Sequence, residues 1–391
     1  MHLRRHHKLV VLAIGTIALY AFATCGSCPV HLPALITTDT RAPRQMMMIM
    51  WVVARCGMSG SAWMRALQLM NSAPVRESNY TSRIVSDTEF LERSHRTLVA
   101  GDVVVFVKLH GHPLFPVMVE QVQRVRAFAV LDVVDDWVSR IRGTTLLDAI
   151  IFSNSLHVRY AKYHLNARRH WIIPHHHSNF DHLKNSQVLQ SGLVRTVGTS
   201  SGPGQQMSTE YRHYIKQWAA FRGVRFVEHT FVEQILDANG QPVSTARSLW
   251  TKASCVLGGG SMLVAHLNQS SYQQNAKIHR QINHIDLAII VPEPDRAALA
   301  YKPNTRLAMF QSHGIPVLVG PYQSYWEADR NHSSSLLFTS PPELLQLLDS
   351  LFHDPERVKS MAIAALRAAQ TVYSLDAIAS RYLDLFSTLH H

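Results

Sequence analysis

Several things are scarce in this chain, and each scarcity closes a door. Cysteine occurs four times in 391 residues, too few for a disulfide framework in a chain of this length. Cys25 and Cys28 have thioredoxin-like spacing, but they sit at the edge of an apolar run, not at a helix start after a strand. With no second pair they make no zinc site. Acidic residues number 27 against 38 Lys and Arg, a formal charge of +11. That excess is dispersed: no basic run is interleaved with aromatics and no zinc-finger or RNA-binding signature occurs, so a nucleic-acid partner is not expected. There is no G-x-G-x-x-G fingerprint and no terminal Gly-Lys-Ser/Thr of a Walker loop. Apart from two α/β halves we find no internal repeat.

What is present begins with one long apolar run. Arg4, Arg5 and Lys8 precede Leu9 to Thr24, which carries no charge. The run is short for a spanning helix, though flanking residues could extend it. Cations ahead of it place the N-terminus in the cytosol, giving a type II anchor with the remainder in the lumen of the ER or Golgi. Cleavage after Ala23, behind Ala21-Phe22-Ala23, would instead release a secreted protein. The sequons at Asn79, Asn268 and Asn331 agree with either route. Residues 1–28 are thus an anchor or signal peptide, and the Pro-bearing residues 29–45 a stem.

From Met46 the pattern changes to alternating strands and helices, the signature of an α/β protein. The charged fraction of 17% and apolar fraction of 47% are those of a globular chain. Its length allows two cores, since one core rarely grows beyond about 250–300 residues. Met46 to Ala54 reads as a doubly covered strand that runs through Cys56-Gly57-Met58-Ser59-Gly60-Ser61 into a helix near 62–70, the opening unit of a Rossmann-like domain. Its N–H groups would face a ligand cleft, with a plain structural turn as the alternative. Further strands are expected over 102–107, 127–134, 147–153 and 170–174. The third ends at Asp132, Asp135 and Asp136, read as caps of a helix near Trp137, with metal or base chemistry as the other possibility. After the last come His175-His176-His177-Ser178-Asn179. Adjacent residues in extended chain point in opposite directions, so these histidines cannot converge on one metal; they are surface loop residues or cleft residues acting as base or phosphate donor.

A second domain is placed over 191–391 after a first over 46–190. It opens with a strand over 193–197 and a small-residue loop, Gly198-Thr199-Ser200-Ser201-Gly202-Pro203-Gly204, that lets backbone and hydroxyls approach phosphate. A helix near 207–221 and strands over 225–228 and 254–257 follow. Gly258-Gly259-Gly260 is a flexible turn, and helices over 355–370 and 375–389 have apolar spacing suited to packing.

The segment Tyr301 to Glu327, YKPNTRLAMFQSHGIPVLVGPYQSYWE, is the most specific in the chain. Pro303 suits a first helical position, which sets Lys302 and Arg306 four apart on one face. Two cations beside unpaired N–H groups make a phosphate site, or else a solvated helix face. Then come His313-Gly314-Ile315-Pro316, the strand Val317-Leu318-Val319, a Gly-Pro turn and Glu327.

This order, with the strand His284 to Ile290 ahead of it, resembles the nucleotide-sugar-binding half of GT-B-fold glycosyltransferases, in particular members with a Lys-Pro-x-Thr-Arg-Leu segment followed by Gly-x-Pro-Val. The likeness covers roughly Ile285 to Glu327. It implies two Rossmann-like domains with parallel sheets facing a central cleft, and a sugar transferred from a nucleotide-sugar donor to a glycan, protein or lipid acceptor, most simply a hexosyl transfer. Donor contacts implied are Thr199, Ser200, Lys302, Arg306 and Glu327, Glu327 having a helix-capping role as its alternative. Ser59, Gly60, His175 and His176 fall on the acceptor side. No metal and no cofactor beyond the donor substrate are implied. Many retaining members bracket the donor sugar with two glutamates, and here those places hold Tyr301 and Met309. The same departure motivates an alternative, a non-catalytic luminal relative that binds a glycan or partner enzyme. Another enzyme on this fold, such as a nucleotide-sugar epimerase, fits the secretory reading less well.

Overall fold

A computed structural model describes residues 46–54, 63–134, 146–161, 166–201, 207–230, 276–292, 302–329 and 333–391. The expected anchor, the cysteine pair, the stem, Ser59-Gly60, Asp135 and Asp136, Gly202 to Gly204, the strand at 254–257, Gly258 to Gly260 and the sequons at Asn268 and Asn331 lie outside these residues. Among the described residues, no helix is long and apolar enough to cross a membrane. Asn79 lies exposed in the turn before a strand.

The described residues from Met46 onward build two sheets. The first contains β1 (Met47–Val53), β2 (Tyr80–Ser86), β3 (Val103–Val107), β4 (Phe128–Asp132), β5 (Leu147–Phe152) and β6 (Ala167–Ile172). The second contains β7 (Thr196–Ser201), β8 (Arg225–Thr230), β9 (Leu287–Ile290), β10 (Val317–Val319) and β11 (Ser335–Leu337). Their orders are β2-β1-β3-β4-β5-β6 and β11-β10-β9-β7-β8, and every pairing is parallel. Numbered from its own first strand, the first sheet runs 2-1-3-4-5-6 and the second 2-1-3-4-5, the doubly wound order whose direction reverses beside the first strand. Central strands such as β3, VVVFV, are buried throughout, because helices cover both faces of a parallel sheet.

The helices used below are α1 (Trp63–Gln68, wound as a wide π-type turn), α2 (Ala73–Glu77), α3 (Asp87–Glu92), α4 (Phe115–Arg124), α5 (Ser155–Ala161), α6 (Ser186–Ser191), α7 (Thr209–Arg222), α8 (Thr305–Gln311), α9 (Gln323–Ala328), α10 (Pro341–Phe352), α11 (Pro355–Thr371) and α12 (Leu375–Leu389). Their starts follow local chemistry. The hydroxyls of Ser340 and Ser374 and the carboxylate of Asp354 accept from the first turns of α10, α12 and α11, and proline opens α10 and α11.

The sequence reading needs several corrections here. β2, at the edge of the first sheet, was not expected: YTSRIVS alternates between half-buried and exposed positions and lacks the apolar run that marks β1. The last strand of that sheet spans Ala167–Ile172, earlier than 170–174, and it also alternates. Gly198 to Ser201 are strand, not loop, because they pair in register with Val227 to Thr230. A side chain at Gly198 would meet Ile285 at 2.5 Å, so glycine there serves close packing. α8 begins at Thr305 with Asn304 at its cap; Lys302 and Pro303 therefore precede the helix. Asp132 is buried at the end of β4 and accepts from the Val134 N–H (3.1 Å); the helix it was expected to cap lies outside the described residues.

Each sheet has a core on each face. On the first sheet, one face packs against α3 and α4. The other takes α1, α2 and the apolar stripe of α12, Ile378, Ala379, Tyr382, Leu385, Phe386 and Leu389. Residues at i, i+4, i+7, i+8 and i+11 share a helix face, and here that face lies on Trp51, whose ring is 5.6 Å from Tyr382 and 6.2 Å from Phe386. Within the same layer Arg65, fully buried, donates to the Tyr382 hydroxyl (2.9 Å) and the Ile173 carbonyl (2.8 Å). Its Nε lies 3.8 Å from Asp132, and Tyr382 donates to that same carboxylate. Burial first, then Asp132, pushes the Tyr382 hydroxyl well above its ordinary range, so it stays a donor. Truncating Phe386 to alanine is expected to cost about 3–5 kcal/mol, read as a lower denaturant midpoint; a loss under about 1 kcal/mol would show that the last helix adds little to this core.

Candidate functional site

The reversal of strand order leaves a crevice beyond the carboxyl ends of β1 and β3 in the first sheet and of β7 and β9 in the second. These edges meet. The segment after β6 crosses to the second sheet, and the hydrogen bonds between the halves lie among the segments that follow strand ends. His175 donates its main-chain N–H to Asn304 Oδ1 (2.8 Å), and Asn304 Nδ2 returns a bond to the His175 carbonyl (3.3 Å). Asn304 occupies the cap position of α8 yet makes no cap bond; its amide is spent on this bridge instead. His177 N–H donates to the Tyr373 carbonyl (2.8 Å), and Tyr373 donates to the Ala328 carbonyl (2.6 Å).

Glu327 makes a further bridge. Its carboxylate accepts from the Ser155 N–H (2.9 Å), from the Ser155 hydroxyl and from Gln323 Nε2 (2.7 Å). Ser155 opens α5, so Glu327 satisfies a free N–H at a helix start, while Asn154 Oδ1 accepts from His157 N–H (2.8 Å) in the same turn. The capping role is the one the structure shows.

The candidate donor residues come from the two segments flanking the second crevice. Thr199 and Ser200 lie near the end of β7, both buried, and the Ser200 hydroxyl has no hydrogen-bond partner among the described residues. Lys302 and Arg306 follow β9, both half-buried. The Arg306 guanidinium lies 5.9 Å over the ring of Tyr322, an attractive geometry for a cation, and Tyr322 donates to the Val291 carbonyl just past β9 (3.2 Å). Arg306 is thereby held beside the crevice. Met309, at one of the places where a glutamate would bracket a sugar, packs in the core under the sheet.

On the opposite side His175 and His176 are buried at 3% and 0% exposure, not surface loop residues. His176 Nε2 lies 2.6 Å from Gln68 Oε1, whereas neither ring nitrogen of His175 has a partner among the described residues. Burial, then Arg65, His176 and Lys108, holds the His175 imidazole well below its ordinary value. His176 is lowered to about 3 by burial, Arg65 and His177. Lys108, just past β3, has φ 55°, in the left-handed region that non-glycine residues enter mainly at special turns. Among the described residues no group of His, Cys, Asp and Glu is arranged to hold a metal.

No sequence pattern announces the histidine chain beneath this crossing. Asn283 Oδ1 lies 2.9 Å from His313 Nδ1, His313 Nε2 is 2.7 Å from His279 Nδ1, and His279 Nε2 is 3.0 Å from the Ser178 hydroxyl. An amide oxygen only accepts, so one consistent arrangement has each neutral ring donating toward the asparagine, with Ser178 donating at the far end. The two rings stack at 5.0 Å. Burial lowers His313 to about 2, with His279 and His177 adding to it, and lowers His279 to about 4, with His177 adding and Asp181 opposing. Gly314 ends this turn with φ 69°, and a side chain there would press on Leu189 at 3.0 Å.

Comparison with solved structures places this architecture. Over 88% of the chain it matches all of Anabaena HepE (Alr3699), solved with UDP, at 12% identity and a TM-score of 0.50. It matches 98% of a glycosyltransferase from Rickettsia africae at 12% identity and 0.52, and all of an α,α-trehalose-phosphate synthase (UDP-forming) from Burkholderia vietnamiensis at 8% and 0.50. No protein-family model and no curated sequence matches the chain. At these identities the likeness is one of fold, and the fold is GT-B.

Histidines held neutral below their unfolded value of about 6.5 bind fewer protons in the folded state, so stability falls as pH drops below that value. For His177 and His279, both lowered to about 4, the loss runs from about pH 6.5 down to about 4, at up to about 1.4 kcal/mol per pH unit for each ring. Denaturant unfolding between pH 7 and 5 should show this slope, and His279→Gln should flatten it; the same slope in His279→Gln and in His313→Asn would mean that the chain does not carry the acid sensitivity.

Proposed function

We propose that this protein is a glycosyltransferase that takes a nucleotide-sugar donor in the crevice between β7 and β9. One observation carries the reading: within a GT-B fold, the residues that could serve a diphosphate, Thr199, Ser200, Lys302 and Arg306, all come from the two strand ends that border the second sheet's reversal. Sugar transfer builds negative charge on the departing nucleoside diphosphate. Fixed cations in a partly buried crevice stabilise that charge without reorganising during the reaction. Arg306, steadied over Tyr322, and Lys302 supply it in this proposal, with the hydroxyls of Thr199 and Ser200 as donors. Glu327 acts across the crevice as the bridge to α5.

The acceptor is placed against the carboxyl end of the first sheet, near His175, with Ser59 and Gly60 of the segment after β1 on the same side. His175 is favoured over His176 as the group that meets it, because the His176 ring is committed to Gln68. A hexosyl donor and a luminal site behind an N-terminal membrane anchor complete the proposal, supported by Arg4, Arg5 and Lys8 ahead of the uncharged run Leu9 to Thr24 and by the exposed sequon residue Asn79. Protease digestion of intact vesicles should spare the region after Cys28.

One observation favours a second reading, binding without transfer. Tyr301 and the core residue Met309 stand where a pair of glutamates would hold the sugar. A screen of nucleotide sugars separates the two readings: saturable binding with turnover supports transfer, and saturable binding with none supports the second. Under the first, Lys302→Ala or Arg306→Ala should each weaken donor binding or turnover about ten- to a hundredfold, the loss of one charge-assisted hydrogen bond of roughly 1.5–3 kcal/mol. Parental kinetics in both variants would remove the donor site from this crevice.

A further inference from the structure

A second concentration of positive charge lies away from the crevice, along the outer strand of the second sheet. In β8 side chains alternate between faces. Phe226 packs with the core under α7, and Glu228 accepts from Arg212 of that helix at 2.8 Å. Arg225, Val227 and His229 therefore point to the opposite face. That face is covered by the helical residues 276–282 and the turn after them. Ala276, His279 and Ile282 are the buried side of this segment. Lys277, Arg280, Gln281 and His284, at i, i+3, i+4 and i+7, form one stripe and are exposed.

The two stripes are the walls of a cavity of about 470 Å³, within the roughly 300–1,000 Å³ of small-molecule sites. Arg225, Lys277 and Arg280 bring three fixed positive charges to it, His229 and His284 bring two imidazoles, and no carboxylate is among its described lining residues. Val227 and Ile285 give it an apolar floor. Arg280 donates Nε to the Ala276 carbonyl (3.3 Å), which holds its guanidinium along the wall. Like charges facing across a concavity repel, and an anion between them reverses the sign of that term. Burial first, then Arg225 and His284, lowers the His229 imidazole.

We propose that this cavity is a binding site for a phosphorylated small molecule, its phosphate held by Arg225, Lys277 and Arg280 and its body resting on Val227 and Ile285. The site does not depend on the transferase reading, for it shares no residue with the proposed donor crevice. It is nevertheless one strand away, since His229 pairs in register with Ser200.

The test is isothermal titration of the purified full-length protein with inorganic pyrophosphate at physiological salt. Lys277→Gln/Arg280→Gln is compared with Lys302→Gln/Arg306→Gln. All four side chains are exposed or half-buried, and circular dichroism checks each fold. The proposal expects a pyrophosphate site that weakens at least tenfold in the first variant and less than twofold in the second. Arg225→Gln, on the facing strand, should weaken it by a similar factor. Binding untouched by both Lys277→Gln/Arg280→Gln and Arg225→Gln, or absent from the parent protein, would overturn it. A competition arm covers polymeric anions: if a heparin-like glycan or an RNA oligomer binds through Lys277 and Arg280 and excess pyrophosphate fails to displace it, the groove serves a macromolecule and the small-molecule site is refuted.

Discussion

The arrangement rests on the burial of the last helix against the first sheet. The chain passes from the first sheet to the second through residues 173–195, completes the second sheet and its helices, and then returns, so that α12 fills a face of the sheet where the fold began. A face as apolar as Ile49, Trp51, Val103, Val105 and Ile151 has to be covered, and each large side chain laid on it contributes about 1.5–3 kcal/mol. The buried Arg65, Asp132 and Tyr382 fix where the helix sits as well as how firmly. Such a network is stabilising only when every member is satisfied, and Tyr382 bonds both of the others. The middle of α12, which bears Tyr382, is therefore pinned next to Ile173, the residue at which the chain leaves the first sheet.

From that anchoring the geometry of the crossing follows. With both ends of the second half tied close to one edge of the first, the carboxyl ends of the sheets come together, and the polar residues there pair across the gap. Asn304 abandons its own helix to hold the His175 backbone. The segment from His175 to Asn185 is irregular chain with a turn at Phe180 and Asp181. Its own side chains donate to main-chain carbonyls of the second half: Asn185 Nδ2 to Ile285 (2.8 Å) and Asn179 Nδ2 to Ser312 (3.1 Å).

The legibility of this protein in its sequence tracks burial. Strands covered on both faces, such as β1, β3 and β5, announce themselves as apolar runs, and α11 and α12 carry a regular apolar stripe. The edge strands β2, YTSRIVS, and β6, ARRHWI, mix polar and charged residues with apolar ones, and nothing local separates them from a loop. The segment around Lys302 and Arg306 is recognisable by its order of residue types, yet the helix start was misplaced because Pro303 outweighed Asn304 in a local reading. The bonds of Glu327 to Ser155 and of His279 to His313 join residues far apart in the chain, and no periodicity encodes such meetings. The basic cavity was hidden for the same reason, because its walls, β8 and the helical residues 276–282, lie well apart in the chain.

The bond between Glu327 and Ser155 has a thermodynamic side. The carboxylate belongs to one half and the helix start to the other, so the halves cannot part there without leaving α5 short of a cap. Loss of a cap costs about 0.5–2 kcal/mol, and 1.4 kcal/mol is a factor of about ten in population. The protein thus carries an intrinsic bias toward the joined arrangement, written into the end of a seven-residue helix. Whatever enters between the halves does so against that bias, unless it offers the Ser155 N–H an acceptor of its own.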